Sequence, residues 1–109
     1  MTDTVFAQPS DGKVTQLDGS TRRVVLSLPE LMLVEFTFVK GGVGALHSHP
    51  HVQSSYITKG VFDVTIDGVT QRIAAGGAYI VPSGKVHGVV AIEAGTLIDS
   101  FTPRRDDFL

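Results

Sequence analysis

Two alternating stretches, Phe62-Asp63-Val64-Thr65-Ile66 and Val69-Thr70-Gln71-Arg72-Ile73, flank the pair Asp67-Gly68. A two-residue Asp-Gly loop suits the type I′ turn, whose twist matches that of the strands it joins. Apolar residues at every second position give each stretch one face for a core and one for water. The same pattern recurs along the chain. Met32, Val34, Phe36 and Phe38 share one face, with Glu35 and Thr37 on the other. Further β-rich runs lie at residues 22–28, 31–39, 45–49, 53–59, 78–81, 87–92 and 96–102. Turn residues separate them: Pro29, Gly41-Gly42, Gly60, Gly76-Gly77, Pro82-Ser83-Gly84 and Gly95. No helical period persists beyond two turns. Eight or so short strands closed by glycine and proline predict an all-β sandwich or barrel.

A chain of 109 residues fits one domain. Residues 1–20 read as a polar lead-in with room for one short edge strand, residues 21–102 as the barrel, and residues 103–109 as a tail. The tail ends in Phe108-Leu109, which predicts that it packs back on the domain. With 9 basic against 11 acidic residues there is no basic face, so neither nucleic acid nor an anionic membrane is an expected partner. The absence of cysteine excludes disulfides, thiolate metal sites and cysteine nucleophiles. Met1 to Ser10 has no basic segment followed by an apolar run, and no run is long enough to span a bilayer. A cytoplasmic protein is the expectation.

Three of the four histidines fall in His47-Ser48-His49-Pro50-His51. If residues 45–49 are extended, His47 and His49 project to the same side and can converge on one ion. Gln53 follows beyond the proline, where its amide oxygen is a candidate ligand. His87 follows Pro82-Ser83-Gly84, a turn able to aim it at the same point. Burying several imidazoles is costly unless each finds a partner. A metal site at His47, His49 and His87, with Gln53 as a fourth ligand, is therefore predicted in place of scattered structural histidines. His51 reads as a rim residue, because Pro50 interrupts the strand between it and the pair. Lys85, in a loop, reads as surface.

The spacing then reaches a family. Gly41 with five residues to His47, then His49, three residues to Gln53 and six to Gly60 resembles the first cupin motif. Gly76 with five residues to Pro82, then Gly84 and two residues to His87, resembles the second. The resemblance implies a small jelly roll, the double-stranded β-helix, with a metal inside its mouth. Gln53 stands where most cupins have glutamate, and Ala91 where the second motif often ends in asparagine. Three imidazoles and an amide are all neutral, so the ion keeps its charge and remains a strong Lewis acid. Such ligands suit nickel, zinc, iron, manganese, cobalt or copper, and affinity order does not choose among them.

A closer resemblance joins the run from Gly41 to Gln53, with Tyr56 after it, to the C-terminal run from Gly95 to Leu109. Both resemble the KdgF cupins of pectin degradation. That resemblance implies metal-dependent conversion of 4,5-unsaturated uronates, from pectin or alginate, into linear keto sugars. It implies that Asp99, Phe101 and Arg105 belong to the active site, with a small sugar acid as substrate and a homodimer as the assembly. The residues agree with it: Asp99 and Phe101 share a strand face, and arginine suits bidentate capture of a carboxylate. Read alone, Asp99 also fits an outer face, Phe101 plain core, and Arg105 a solvated charge run. Two other functions fit the same fold. One is a three-histidine cupin dioxygenase; the other is a binding module for small acids without turnover.

Overall fold

The computed structural model describes residues 4–109. Met1 to Asp3, the start of the polar lead-in and of the stretch read as lacking a secretory signal, lie outside the described residues. Ten strands form two antiparallel sheets among the described residues. They are β1 (Lys13–Gln16), β2 (Ser20–Leu28), β3 (Leu31–Phe38), β4 (Val43–His47), β5 (Val52–Lys59), β6 (Val61–Ile66), β7 (Val69–Ala74), β8 (Ala78–Val81), β9 (His87–Ala91) and β10 (Gly95–Thr102). One sheet runs β1-β2-β3-β10-β5-β8 and the other β4-β9-β6-β7. The crossings of chain order, β3 beside β10 and β6 beside β9, make the jelly roll that the cupin resemblance implied. None of the described helices is long and apolar enough to cross a membrane.

Local sequence accounts for the elements. The β6–β7 hairpin turns at Asp67 (φ 49°) and Gly68 (φ 81°), the two positive angles a type I′ turn needs. Gly60 closes β5 at φ 86°, where an added Cβ would meet the Ala94 carbonyl oxygen. Alternation is clean on the strands that matter most. On β10, Leu97, Asp99 and Phe101 are buried and Ile98 and Ser100 less so. On β5, Gln53, Ser55 and Ile57 point inward. The inward residues build two packed clusters. Phe38, Ile57, Phe62, Val64, Ala91 and Leu97 form one. Val24, Met32, Val34, Phe101 and Phe108 form the other, and Phe36 packs against both. Full burial of one such side chain stabilises the fold by roughly 1.5–3 kcal/mol.

After β10 the chain makes a 3-10 helix, Asp106–Phe108. Phe108 is buried in the second cluster, so the tail does pack back, but Leu109 remains 53% exposed.

Candidate metal centre and active site

His47 and His49 do not share a strand. β4 starts and ends two residues earlier than expected, at Val43 and His47, and His49 lies in the loop before β5. Convergence has a different physical source. Between Gly44 and His47 the register with β9 slips, so that three steps on β4 face two on β9, from Val89 to His87. Such a bulge re-aims the side chain beside it, and His47 now pairs directly with His87. The His49 loop is held separately. Gly84 N–H donates to the His49 carbonyl oxygen at 2.9 Å, and the Ser83 hydroxyl donates to that of Pro50. The Pro82–Gly84 turn therefore clasps the His49 loop and delivers His87 next to it.

The donor atoms of His47, His49 and His87 lie within 4.8 Å of one another. His49 and His87 are buried and His47 is exposed. Each Nδ1 is spent on a backbone carbonyl: Ala45 for His47 at 2.8 Å, His51 for His49 at 3.1 Å, Lys85 for His87 at 2.9 Å. Those bonds put the ring proton on Nδ1 and leave Nε2 as a bare lone pair. Burial, the largest influence, holds the His49 and His87 pKa values below the usual range, which favours the neutral rings. The Gln53 Oε1 atom stands 3.1 Å from Nε2 of both His49 and His87. Lone pairs thus face lone pairs with no proton between them, an arrangement that a cation resolves. The donor set fits a divalent transition metal held by His47, His49, His87 and Gln53.

A cavity of about 100 Å³ opens beside this group, lined by His47, Gln53 and His87 on one side and Asp99, Phe101 and Arg105 on another. Asp99 is 4% exposed and its Oδ1 is buried without a partner. Burial pushes its carboxyl up to about 7, against smaller opposing contributions from the Ser55 hydroxyl and Arg105. Arg105, on the tail, is buried. Its Nε and Nη2 donate to the two carboxylate oxygens of Asp107, at 3.0 and 2.8 Å. That side of the guanidinium is taken, so the Nη1/Nη2 end is the edge left for a second anion. The guanidinium also lies 4.2 Å from the ring centre of Phe108 and 5.2 Å from that of Phe101.

His51 does not line this cavity. It faces a separate surface depression with Pro29, Pro103, Arg104, Asp106 and Asp107, in keeping with a place at the rim. Lys85 is exposed and pairs with Asp67 at 3.5 Å. Reading the sequence missed Ser55, Tyr79, Asp107 and Phe108. Ser55 had a signal, the inward parity it shares with Gln53. Tyr79 and Asp107 had none, because each depends on which strands and loops become neighbours, and the apolar end of the tail signalled for Phe108 only that it packs back.

The family profile described as "Cupin domain" matches residues 34–99. The chain belongs to the cupin family. Among its relatives, this cupin is 40% identical over 94 residues to the pectin degradation protein KdgF of Dickeya dadantii, covering 84% of this chain and 86% of that one. The structure of KdgF from Halomonas superposes with a TM-score of 0.91 at 36% identity, covering 97% of this chain and 99% of that one. An RmlC-like cupin from Shewanella frigidimarina gives a TM-score of 0.94 at 36% identity, covering 98% and 97%. The fold and the resemblance to the KdgF group expected from the motifs are thereby borne out.

Proposed function

We propose that this cupin is a metal-dependent enzyme that converts a 4,5-unsaturated uronate into its linear keto-deoxyuronate. The observation that carries the reading is the shared cavity: a three-histidine, one-amide donor set beside a buried carboxyl with an unpartnered oxygen and a guanidinium with one free edge. Similarity to KdgF of Dickeya dadantii supports it. The reaction moves one proton overall. The C1 hydroxyl loses a proton as the bond from C1 to the ring oxygen breaks and that oxygen takes one up, giving an aldehyde and an enol. The enol then gains a proton at C4 as its hydroxyl gives one up, and becomes the C5 ketone. No electron leaves or enters.

A bound divalent metal supplies Lewis acidity toward a substrate oxygen. His47, His49, Gln53 and His87 hold it. The remaining work falls to other side chains. Arg105 binds the substrate carboxylate through its free edge. Asp99, poised by burial near neutrality, exchanges the migrating proton at Oδ1. Phe101 walls the pocket and keeps water from the enol. Incubation with 4,5-unsaturated galacturonate tests the reading: ultraviolet absorbance of the conjugated enol is lost without oxygen uptake. Oxygen consumption would favour a dioxygenase, and binding without turnover a small-acid carrier.

Two predictions separate the roles. Arg105→Ala weakens substrate binding by about 2–5 kcal/mol, the cost of breaking a desolvated charge pair. Arg105→Lys recovers little of it, since an ammonium cannot hold Asp107 and substrate with one planar fork. Measured KM values decide this, and wild-type KM in either variant refutes the role. Gln53→Glu retains or tightens metal binding, because the new ligand is anionic. It slows turnover, because the metal becomes a weaker acid and repels the anionic substrate. Unchanged kinetics in that variant would place Gln53 outside the ligand set.

A further inference from the structure

We infer that Ser55 is a positioning residue that fixes which end of the Gln53 amide faces the metal. The inference rests on the reading of Gln53 as a ligand and goes beyond it. An amide side chain has two ends of similar shape and opposite character: an oxygen that accepts and an NH2 that donates. Only the oxygen ligates a cation. With Nε2 of His49 and His87 both presenting lone pairs, a metal-free site would favour the reverse placement, NH2 toward the imidazoles. Something outside the cluster must select the oxygen.

Ser55 is placed to do this. The Gln53 Nε2 atom donates to Ser55 Oγ at 3.0 Å, a bond buried on the inner face of β5. By itself a hydroxyl does not discriminate, because it donates as readily as it accepts. Its neighbours across the sheet remove that freedom. Ser55 pairs in register with Asp99 on β10 and with Tyr79 on β8, forming a row of three side chains across the two ladders. Asp99 is buried beside Ser55 in that row, and a Ser55 proton directed at its carboxyl leaves only lone pairs for Gln53. So disposed, Ser55 accepts the Gln53 N–H at 3.0 Å. The amide oxygen is thereby turned inward, where it stands 3.1 Å from Nε2 of both His49 and His87. One hydroxyl links the proton-carrying group to a metal ligand.

Ser55→Ala removes the acceptor and lets the amide turn over. Loss of a partner that orients a ligand costs roughly 10–100-fold in metal affinity. The informative comparison uses Co2+ titrations of the metal-stripped protein, read from the visible absorption of the bound ion. Ser55→Ala is made in the parent and in Gln53→Glu. A carboxylate has two equivalent oxygens and no wrong end, so Ser55→Ala costs less than about threefold in the Gln53→Glu background. Ser55→Thr, which keeps the hydroxyl, retains parent affinity, and circular dichroism confirms that each variant is folded. Equal losses in the two backgrounds would make Ser55 a packing residue only, and no loss in the parent would overturn the inference outright. A parent that binds no Co2+ would instead remove the metal reading itself, and the inference with it.

Discussion

Asp99→Asn lowers turnover by on the order of a hundredfold or more, the usual scale for losing a positioned acid–base group. Substrate binding and metal content stay close to those of the parent. Asparagine keeps the shape and lacks only the ionisable proton. Steady-state kinetics with metal analysis decide the point. If turnover survives, the proton travels through another group, and Asp99 is there for structure. The same substitution has a second readout in the metal-stripped protein. Burial raises the Asp99 carboxyl from 3.8 to about 7. Between those values the folded chain holds a proton that the unfolded chain has released, so stability falls as pH rises through the window. About three units at ~1.4 kcal/mol each set the full loss on the order of 4 kcal/mol. Asparagine removes the slope. Melting temperatures taken from about pH 4.5 to 7.5 should therefore shift in favour of Asp99→Asn as pH increases. Parallel profiles would show that the carboxyl titrates elsewhere.

Replacing His49 or His87 by alanine abolishes tight metal binding and, with it, turnover. Both side chains are buried, and each leaves a gap that a water cannot fill with an equivalent ligand. Their donor atoms also face the Gln53 oxygen, so either loss opens the centre on two sides. His47→Ala acts in the same direction at the exposed edge of the group. The strands persist in all three, because the packed clusters of the core contain no histidine. Elemental analysis and circular dichroism on each variant check both halves of the expectation. A metal-free variant with full activity would refute the metal's part in the reaction.

The fold was legible because it is written in local terms. Asp67-Gly68 names its own turn, and the inward positions of β3, β5 and β10 follow period 2. The histidine group was legible as a set but for a partly mistaken reason. Parity along one strand does not bring His47 and His49 together. A bulge on β4 and a clasp between two loops do, and neither has a signature in single-residue spacing. The state of Arg105 was hidden for a related reason. Arg104-Arg105-Asp106-Asp107 reads as a solvated charge run, and only the 3-10 turn shows that Asp107 holds one side of the Arg105 fork while Phe108 enters the core. Ser55 and Tyr79 matter through cross-strand register, which a sequence specifies only once the sheet order is known.

The placement of Arg105 has a bearing on how such a barrel diversifies. The four candidate ligands sit on β4, β5, β9 and the loop before β5, whereas the candidate anion grip sits on a tail beyond the last strand, anchored by Phe108. Under the function proposed here, the part that activates a substrate and the part that chooses it occupy separate stretches of chain. Selection can redraw the tail to admit a different acid while the ion and its imidazoles are inherited unaltered.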